Sequence, residues 1–352
     1  MVIARRVVWA TFVLAFPLGF VRGQDQMPLA PSPHISPPVT APRNDDIAGG
    51  FGGWDGRGIG GGGFGGPSYS TTWYPSRSVS GQAADLGLVR QRVNLGMPVW
   101  RDGGDMLMLG VSVRHSMFFT DAILPDTRRS FPNDLWNVSV NQNYRHKFDN
   151  GWSGGLMTGV GSASDRPFDG AREMNVNAAT FLRVPAWCDR DSWMFSILYS
   201  SAGNLNIPIP GVAYAWNPSD GLHVNIGVPF SVMWRPVDDL TFSASYVPLT
   251  DANARATYRV ADGIHLYGGY EFLNEAYNLA DRADTRDRFM GFEQRFIGGV
   301  RRDVWRHATL DLNAGYAFDR HYGEGRNQGS SLHDRIDVAP GAFLGAGLRV
   351  RF

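Results

Sequence analysis

Trp136-Asn137-Val138-Ser139-Val140-Asn141-Gln142-Asn143-Tyr144-Arg145-His146-Lys147-Phe148 alternates from end to end. Trp136, Val138, Val140, Tyr144 and Phe148 share one parity, while Asn137, Ser139, Asn141, Asn143, Arg145 and Lys147 hold the other. A period of two is the mark of a β-strand with two unlike faces. Twelve residues at ~3.3 Å rise and ~40° tilt climb roughly 30 Å, which suits a membrane-crossing strand better than a globular one of ~5–6 residues. Arg and Asn in mid-strand are too wet for a protein core, so the polar face must line water and the apolar face must meet something oily. Trp136 and Phe148 bracket the segment, as aromatics do at the edges of a bilayer's apolar band.

The pattern continues along the chain. Leu107, Leu109, Val111, Val113, Met117 and Phe119 alternate with Ser112, Arg114 and Ser116, and comparable runs fill Leu222–Trp234 and Ala308–Phe318. Further candidates are Tyr69–Val79, Val89–Val99, Trp152–Ser162, Met174–Val184, Trp193–Tyr199, Leu240–Pro248, Ala254–Val260, Ile264–Phe272, Met290–Val300 and Val338–Phe352. The predicted fold is therefore all-β, a transmembrane antiparallel up-and-down barrel of about fourteen strands over 69–352, since single-chain bacterial barrels close with even counts. Twelve is the fallback if Trp193–Tyr199 or Ala254–Val260 does not cross. A soluble sandwich would bury its apolar faces against each other; strand length and aromatic placement speak against it.

The connections alternate as well. Short Asp/Gly-rich turns are expected at Arg101–Asp105, Asp149–Gly151, Ala186–Asp191, Arg235–Asp239, Ala261–Gly263 and Arg301–Asp303. Longer links are expected at Thr120–Asp134, Ala163–Glu173, Ser200–Gly221, Leu273–Arg288 and Arg320–Asp337. Short periplasmic turns opposite long outer loops are the habit of outer-membrane barrels.

Ahead of this body lie two segments of different composition. Arg5 and Arg6 precede an apolar run from Val7 to Val21, and Gly23 then leads into Gln24-Asp25-Gln26, which predicts a cleaved signal peptide over 1–23. From 24 to 68 the chain is Pro-rich and then Gly-rich, with 12 glycines among the 18 residues Gly49–Gly66, and reads as a flexible linker. Gly58–Gly63 fits G-x-G-x-x-G by composition alone, with no strand before it and no helix after it. Across the 352 residues, 33 basic and 33 acidic side chains balance, which excludes a nucleic-acid binder held by overall charge. Cys188 is the sole cysteine, so no disulfide scaffold exists.

The C-terminus, Leu344, Ala346, Leu348, Val350 and Phe352 alternating with Gly345, Gly347, Arg349 and Arg351, resembles the last strand of bacterial outer-membrane β-barrel proteins, most of all those with a Pro/Gly-rich N-terminal extension. The resemblance implies an outer-membrane location, and it implies that Leu348, Val350 and Phe352 are the signal read by the barrel-insertion machinery. It brings no activity with it.

Catalytic motifs are scarce. Gly151-Trp152-Ser153-Gly154-Gly155 fits G-x-S-x-G, but it opens a strand instead of joining a strand to a helix. Asp319, His321 and His333 are the only parts available for a hydrolase at the barrel rim, and the eight His form no metal-binding motif, so no cofactor or metal is expected. The polar parity is more telling. It places Arg114, Arg145, Arg183, Arg259 and Arg295 on the lumen wall, with Arg90, Arg92, Lys147, Arg255, Arg349 and Arg351, against Glu271, Glu293, Asp311 and Asp319. Fixed positive charge in a narrow aqueous bore attracts anions. Two readings follow: a passive channel for small, anionic solutes, or a closed structural or adhesive barrel whose arginines pair with acids from links such as Leu273–Arg288. The expected partners are membrane lipid, the insertion machinery and small solutes.

Overall fold

The computed structural model describes residues 66–188, 190–201, 207–247, 251–282, 284–326 and 331–350. The predicted signal peptide, all but the last residues of the predicted linker, and Phe352 lie outside them. The strands are β1 (Ser68–Ser78), β2 (Asp85–Asp102), β3 (Asp105–Thr120), β4 (Asp134–Lys147), β5 (Ser153–Ser164), β6 (Met174–Pro185), β7 (Ser192–Ser200), β8 (Ile209–Ser219) and β9 (Leu222–Gly227). They continue with β10 (Phe230–Val237), β11 (Leu240–Val247), β12 (Asp251–Ala261), β13 (Ile264–Tyr277), β14 (Arg288–Trp305), β15 (Ala308–Gly325), β16 (His333–Val338) and β17 (Gly341–Val350). Among the described residues there is no helix.

Every strand pairs antiparallel with its neighbour, and β1 closes the ring by pairing with β2 on one side (Tyr69 opposite Val93) and β17 on the other (Tyr69 opposite Leu348). β15 pairs with β17 through Ala308–Ala317 and with β16 through Arg320–Glu324. β16 and β17 are thus two pieces of one stave, and the barrel has sixteen staves.

The expected count of about fourteen is corrected in two places. β8 was hidden within the expected link Ser200–Gly221, because Pro210, Gly211 and Pro218 read as loop signals. The segment Leu222–Trp234, expected as one strand, is a hairpin of β9 and β10. Its register pairs Val224 with Val232 and Leu222 with Trp234, so residues of equal parity face the same side and the alternation runs through the turn unbroken. Gly227 marks the corner: its φ is +146°, and a Cβ there would overlap the Val212 carbonyl oxygen. A third correction is the expected turn Arg301–Asp303, which lies within β14; the chain turns at Arg306-His307. Trp193–Tyr199 and Ala254–Val260 both fall in strands, which removes the fallback of twelve.

Both chain ends of the barrel lie at one rim, where Ser68 stands opposite Arg349. The links 103–104, 148–152, 186–191, 220–221, 238–239, 262–263 and 306–307 all fall at that rim. The links 121–133, 165–173 and 278–287 fall at the other. Sidedness follows the sequence pattern. Val111, Val140, Val160, Phe296, Leu312 and Leu344 are exposed on the outer wall, whereas Ser112, Arg114, Asn141, Asn143, Glu271 and Arg295 are buried inside. Phe148, Trp152, Trp234 and Tyr258 are exposed near the turn rim, and Phe119, Phe230 and Tyr246 nearer the loop rim.

The wall is uneven. β2, β14 and β15 have 18 residues each, but β9 has 6 and β10 and β11 have 8 each. The ring is also pinched, since β13 comes up against β5, eight staves away around a ring of sixteen. Beyond the end of β13, the Asn278 amide donates to the Ala163 carbonyl on β5 at 2.7 Å.

Candidate functional site: an arginine-lined lumen

The interior of β13–β17 and β1–β3 carries a layer of buried ion pairs. Glu275 on β13 accepts Arg114 from β3 at 2.6 Å and stands 3.3 Å from Arg90 on β2. Arg295 on β14 donates through Nε and Nη2 to Glu271 Oε2 at 2.8 and 2.6 Å, and Arg255 on β12 reaches Glu271 Oε1 at 3.0 Å. Tyr74 on β1 joins the layer: its hydroxyl donates to Glu293 Oε1 at 2.6 Å and accepts from Arg295 Nη1 at 2.8 Å. Arg320 lies 3.3 Å from Glu293 Oε2 and over the Tyr74 ring, its guanidinium 4.9 Å from the centroid. Such groups tolerate burial only because each charge meets an opposite one.

The balance is uneven within this layer. Five guanidiniums, those of Arg90, Arg114, Arg255, Arg295 and Arg320, share three carboxylates, Glu271, Glu275 and Glu293. Beside them is a cavity of about 60 Å³ lined by Ser70, Thr72, Arg90, Arg92, Arg114, Glu275 and Arg295, among others. At that volume it holds a few waters or one small ion. Its wall carries four guanidiniums, of which Arg90 and Arg114 meet Glu275 and Arg295 meets Glu271, together with two hydroxyls.

Of the arginines expected on the lumen wall, Arg114 and Arg295 belong to this layer. Arg145 stands 6.0 Å from the Phe181 ring centroid and Arg183 Nε donates to Ser192 at 2.6 Å, both toward the turn rim. Arg259 is half-exposed at that rim, bound to Asp239 at 2.6 Å. Asp319, expected inside, faces out. A bulge at this residue, with φ +47°, shifts the parity of β15, so that Arg320, Tyr322 and Glu324 point inward in its place. Sequence reasoning missed Arg320 for that reason. It missed Glu275 as a strand residue because β13 runs on into what read as a link. In the terminal segment, Leu348 is outward-facing opposite Tyr69, and Val350 pairs with Ala308. Of the residues named for a rim hydrolase, Asp319 and His321 lie together in the loop-side half, Oδ1 to Nδ1 at 3.6 Å, with His333 on the strand paired to theirs, whereas Ser153 opens β5 at the turn rim.

Above the ion-pair layer two links fold into the mouth. Leu124 and Phe131 from link 121–133 and Leu279 from link 278–287 are buried against Phe118, Phe289 and Tyr322. The Phe131 ring meets these three aromatics edge-on at centroid distances of 5.1, 5.3 and 5.4 Å. Burying a Phe or Leu is worth about 1.5–3 kcal/mol, so the two links are held inside by several such contributions. Asp334 fixes the first link further, accepting from the Asp126 and Thr127 amides, both at 2.8 Å, and the Thr127 hydroxyl at 2.7 Å.

No protein-family model and no curated protein matches the chain. Solved structures similar to it include the β domain of the Bordetella autotransporter BrkA, at 13% identity and a TM-score of 0.30, covering 82% of this chain and 100% of that one. An outer membrane channel from Pseudomonas putida is 10% identical with a TM-score of 0.34, covering 81% and 95%. Pseudomonas aeruginosa OpdQ is 9% identical with a TM-score of 0.22, covering 81% and 97%. Superpositions this loose carry no argument; the barrel rests on its own strand pairing and sidedness.

Proposed function

We propose that the chain is a bacterial outer-membrane barrel acting as a passive, narrow channel for small anionic solutes. The observation that carries this reading is the lumen cavity whose wall sets Arg90, Arg92, Arg114 and Arg295 against Glu275. In a low-dielectric tube, excess fixed positive charge lowers the energy of an anion and raises that of a cation. The exposed apolar outer wall supports a membrane location, because a continuous apolar band on a closed barrel needs hydrocarbon around it. In this reading residues 1–23 are a cleaved export signal and the C-terminal Leu348, Val350 and Phe352 are read by the insertion machinery. No chemical step, cofactor or nucleic acid takes part.

The experiment is conductance of the purified barrel in planar bilayers under a salt gradient. A reversal potential favouring anions is expected, reduced when Arg114 is replaced by Ala. A potential favouring cations would overturn the selectivity. Complete absence of current favours the second reading, a closed structural barrel, which the packing of Leu124, Phe131 and Leu279 in the mouth supports.

A further inference from the structure

At the loop-bearing mouth, apart from the arginine layer, the end of β15 meets the start of β16. Glu324, His333 and Asp334 each present one donor atom there, and the three atoms lie within 4.8 Å of one another. Glu324 and Asp334 are sealed from solvent, at 1% and 0% exposure, while His333 is 40% exposed and opens the group to the outside. Arg129 from link 121–133 occupies Glu324 Oε1 and stands 3.6 Å from Asp334 Oδ2. Glu324 Oε2 is left buried with no hydrogen-bond partner, facing His333 Nε2 at 3.6 Å. A second carboxylate oxygen, Asp287 Oδ2, lies 3.6 Å from the same nitrogen.

Those separations are too long for N–H···O hydrogen bonds, which run ~2.7–3.2 Å. They are near the ligand-to-ligand edge of a tetrahedral zinc site, where bonds of ~2.0–2.1 Å set the ligand atoms about 3.3–3.4 Å apart. An imidazole nitrogen with carboxylate oxygens suits Zn²⁺, whereas Ca²⁺ and Mg²⁺ seek an all-oxygen shell. The charge also fits: Glu324, Asp334 and Asp287 surround the histidine, against Arg129 and the more distant Arg326, whose Nε is 3.9 Å from Asp287.

We infer that Glu324 and His333, with Asp334 and Asp287 beside them, form a Zn²⁺ site at the mouth of the barrel. The ligands come from β15 and β16; Asp334 and Arg129 tie link 121–133 to them, and Asp287 brings link 278–287 up against His333. A bound ion would thus fasten both inward-folded links to the barrel wall, whether or not the barrel conducts.

The test uses the full chain, folded in detergent and stripped with EDTA, titrated with Zn²⁺ alone against a chromophoric chelator. One tightly held Zn²⁺ per chain is expected. His333→Ala and Glu324→Gln should each weaken binding at least tenfold, whereas His307→Ala, at the opposite rim, should leave it unchanged. Glu324→Gln keeps an oxygen for Arg129, and a heat-modifiability gel verifies that each variant is folded. Zn²⁺ should also raise the temperature at which the folded band is lost in the wild type and not in His333→Ala. Failure of the wild type to retain zinc, equal binding by His333→Ala and Glu324→Gln, or tighter binding of Ca²⁺ than of Zn²⁺ would overturn the assignment.

Discussion

The half of the barrel from β13 through β17 and β1 to β5 differs in kind from the half from β6 to β12. The first supplies every strand residue of the contiguous apolar cluster, Tyr74, Leu88, Phe118, Tyr277, Phe289 and Phe343 among them, and most of the buried ion-pair layer. The second has no such cluster: short buried side chains such as Ser192, Ser196, Ser200, Ala213 and Ala215 alternate with Phe181, Met194 and Leu198, and its staves β9–β11 are the shortest of the ring. A closed ring leaves no strand edge unpaired, so one half can carry a contiguous apolar core while the other is packed more thinly. The packed half holds the inserted links, most of the buried ion pairs and the small cavity beside them.

That contrast predicts unequal responses to substitution. Glu271→Gln, in the packed half, removes the shared partner of Arg295 and Arg255 and should cost about 3–5 kcal/mol, read as a lowered denaturation midpoint of the folded barrel. Phe131→Ala should cost about 3 kcal/mol and, by loosening link 121–133, raise conductance through the mouth. Val140→Arg, on the outer wall, should cost about 2–4 kcal/mol if that face meets hydrocarbon, and nearly nothing if it meets water. Ser196→Ala, in the more thinly packed half, deletes a buried hydroxyl with no partner and should change stability by less than about 0.5 kcal/mol. Equal losses for Glu271→Gln and Ser196→Ala would erase the distinction between the halves.

The same contrast governs what the sequence makes legible. Long alternating strands such as Asp134–Lys147 announce both their existence and their sidedness, because each face answers to a different solvent. β8 does not: its Pro210, Gly211 and Pro218 imitate a loop, and its inner face of Ala213 and Ala215 carries no contrast with the outside. The β9–β10 hairpin escapes because its register preserves parity, so nothing in the pattern marks the fold-back except Gly227-Val228-Pro229. Each omission adds one strand, which is why the even count survives. In the lumen, parity locates Arg114 and Arg295 but cannot name their partners. Tyr74 and Glu275 meet them across the ring, and the bulge at Asp319 that brings Arg320 inside leaves no trace in the alternation. The group around His333 is likewise invisible, since Glu324 and Asp287 reach it from separate segments.

The sidedness of the wall is tested most directly by single spin labels along β4 in a Cys188→Ser background reconstituted in lipid. Labels at Val138→Cys and Val140→Cys should be accessible to dissolved oxygen and shielded from a water-soluble nickel relaxant. Labels at Ser139→Cys and Asn141→Cys should show less oxygen contact and no lipid-like profile. Equal accessibility at all four positions, or the reverse alternation, would contradict a barrel whose apolar parity faces hydrocarbon and whose arginines face the lumen.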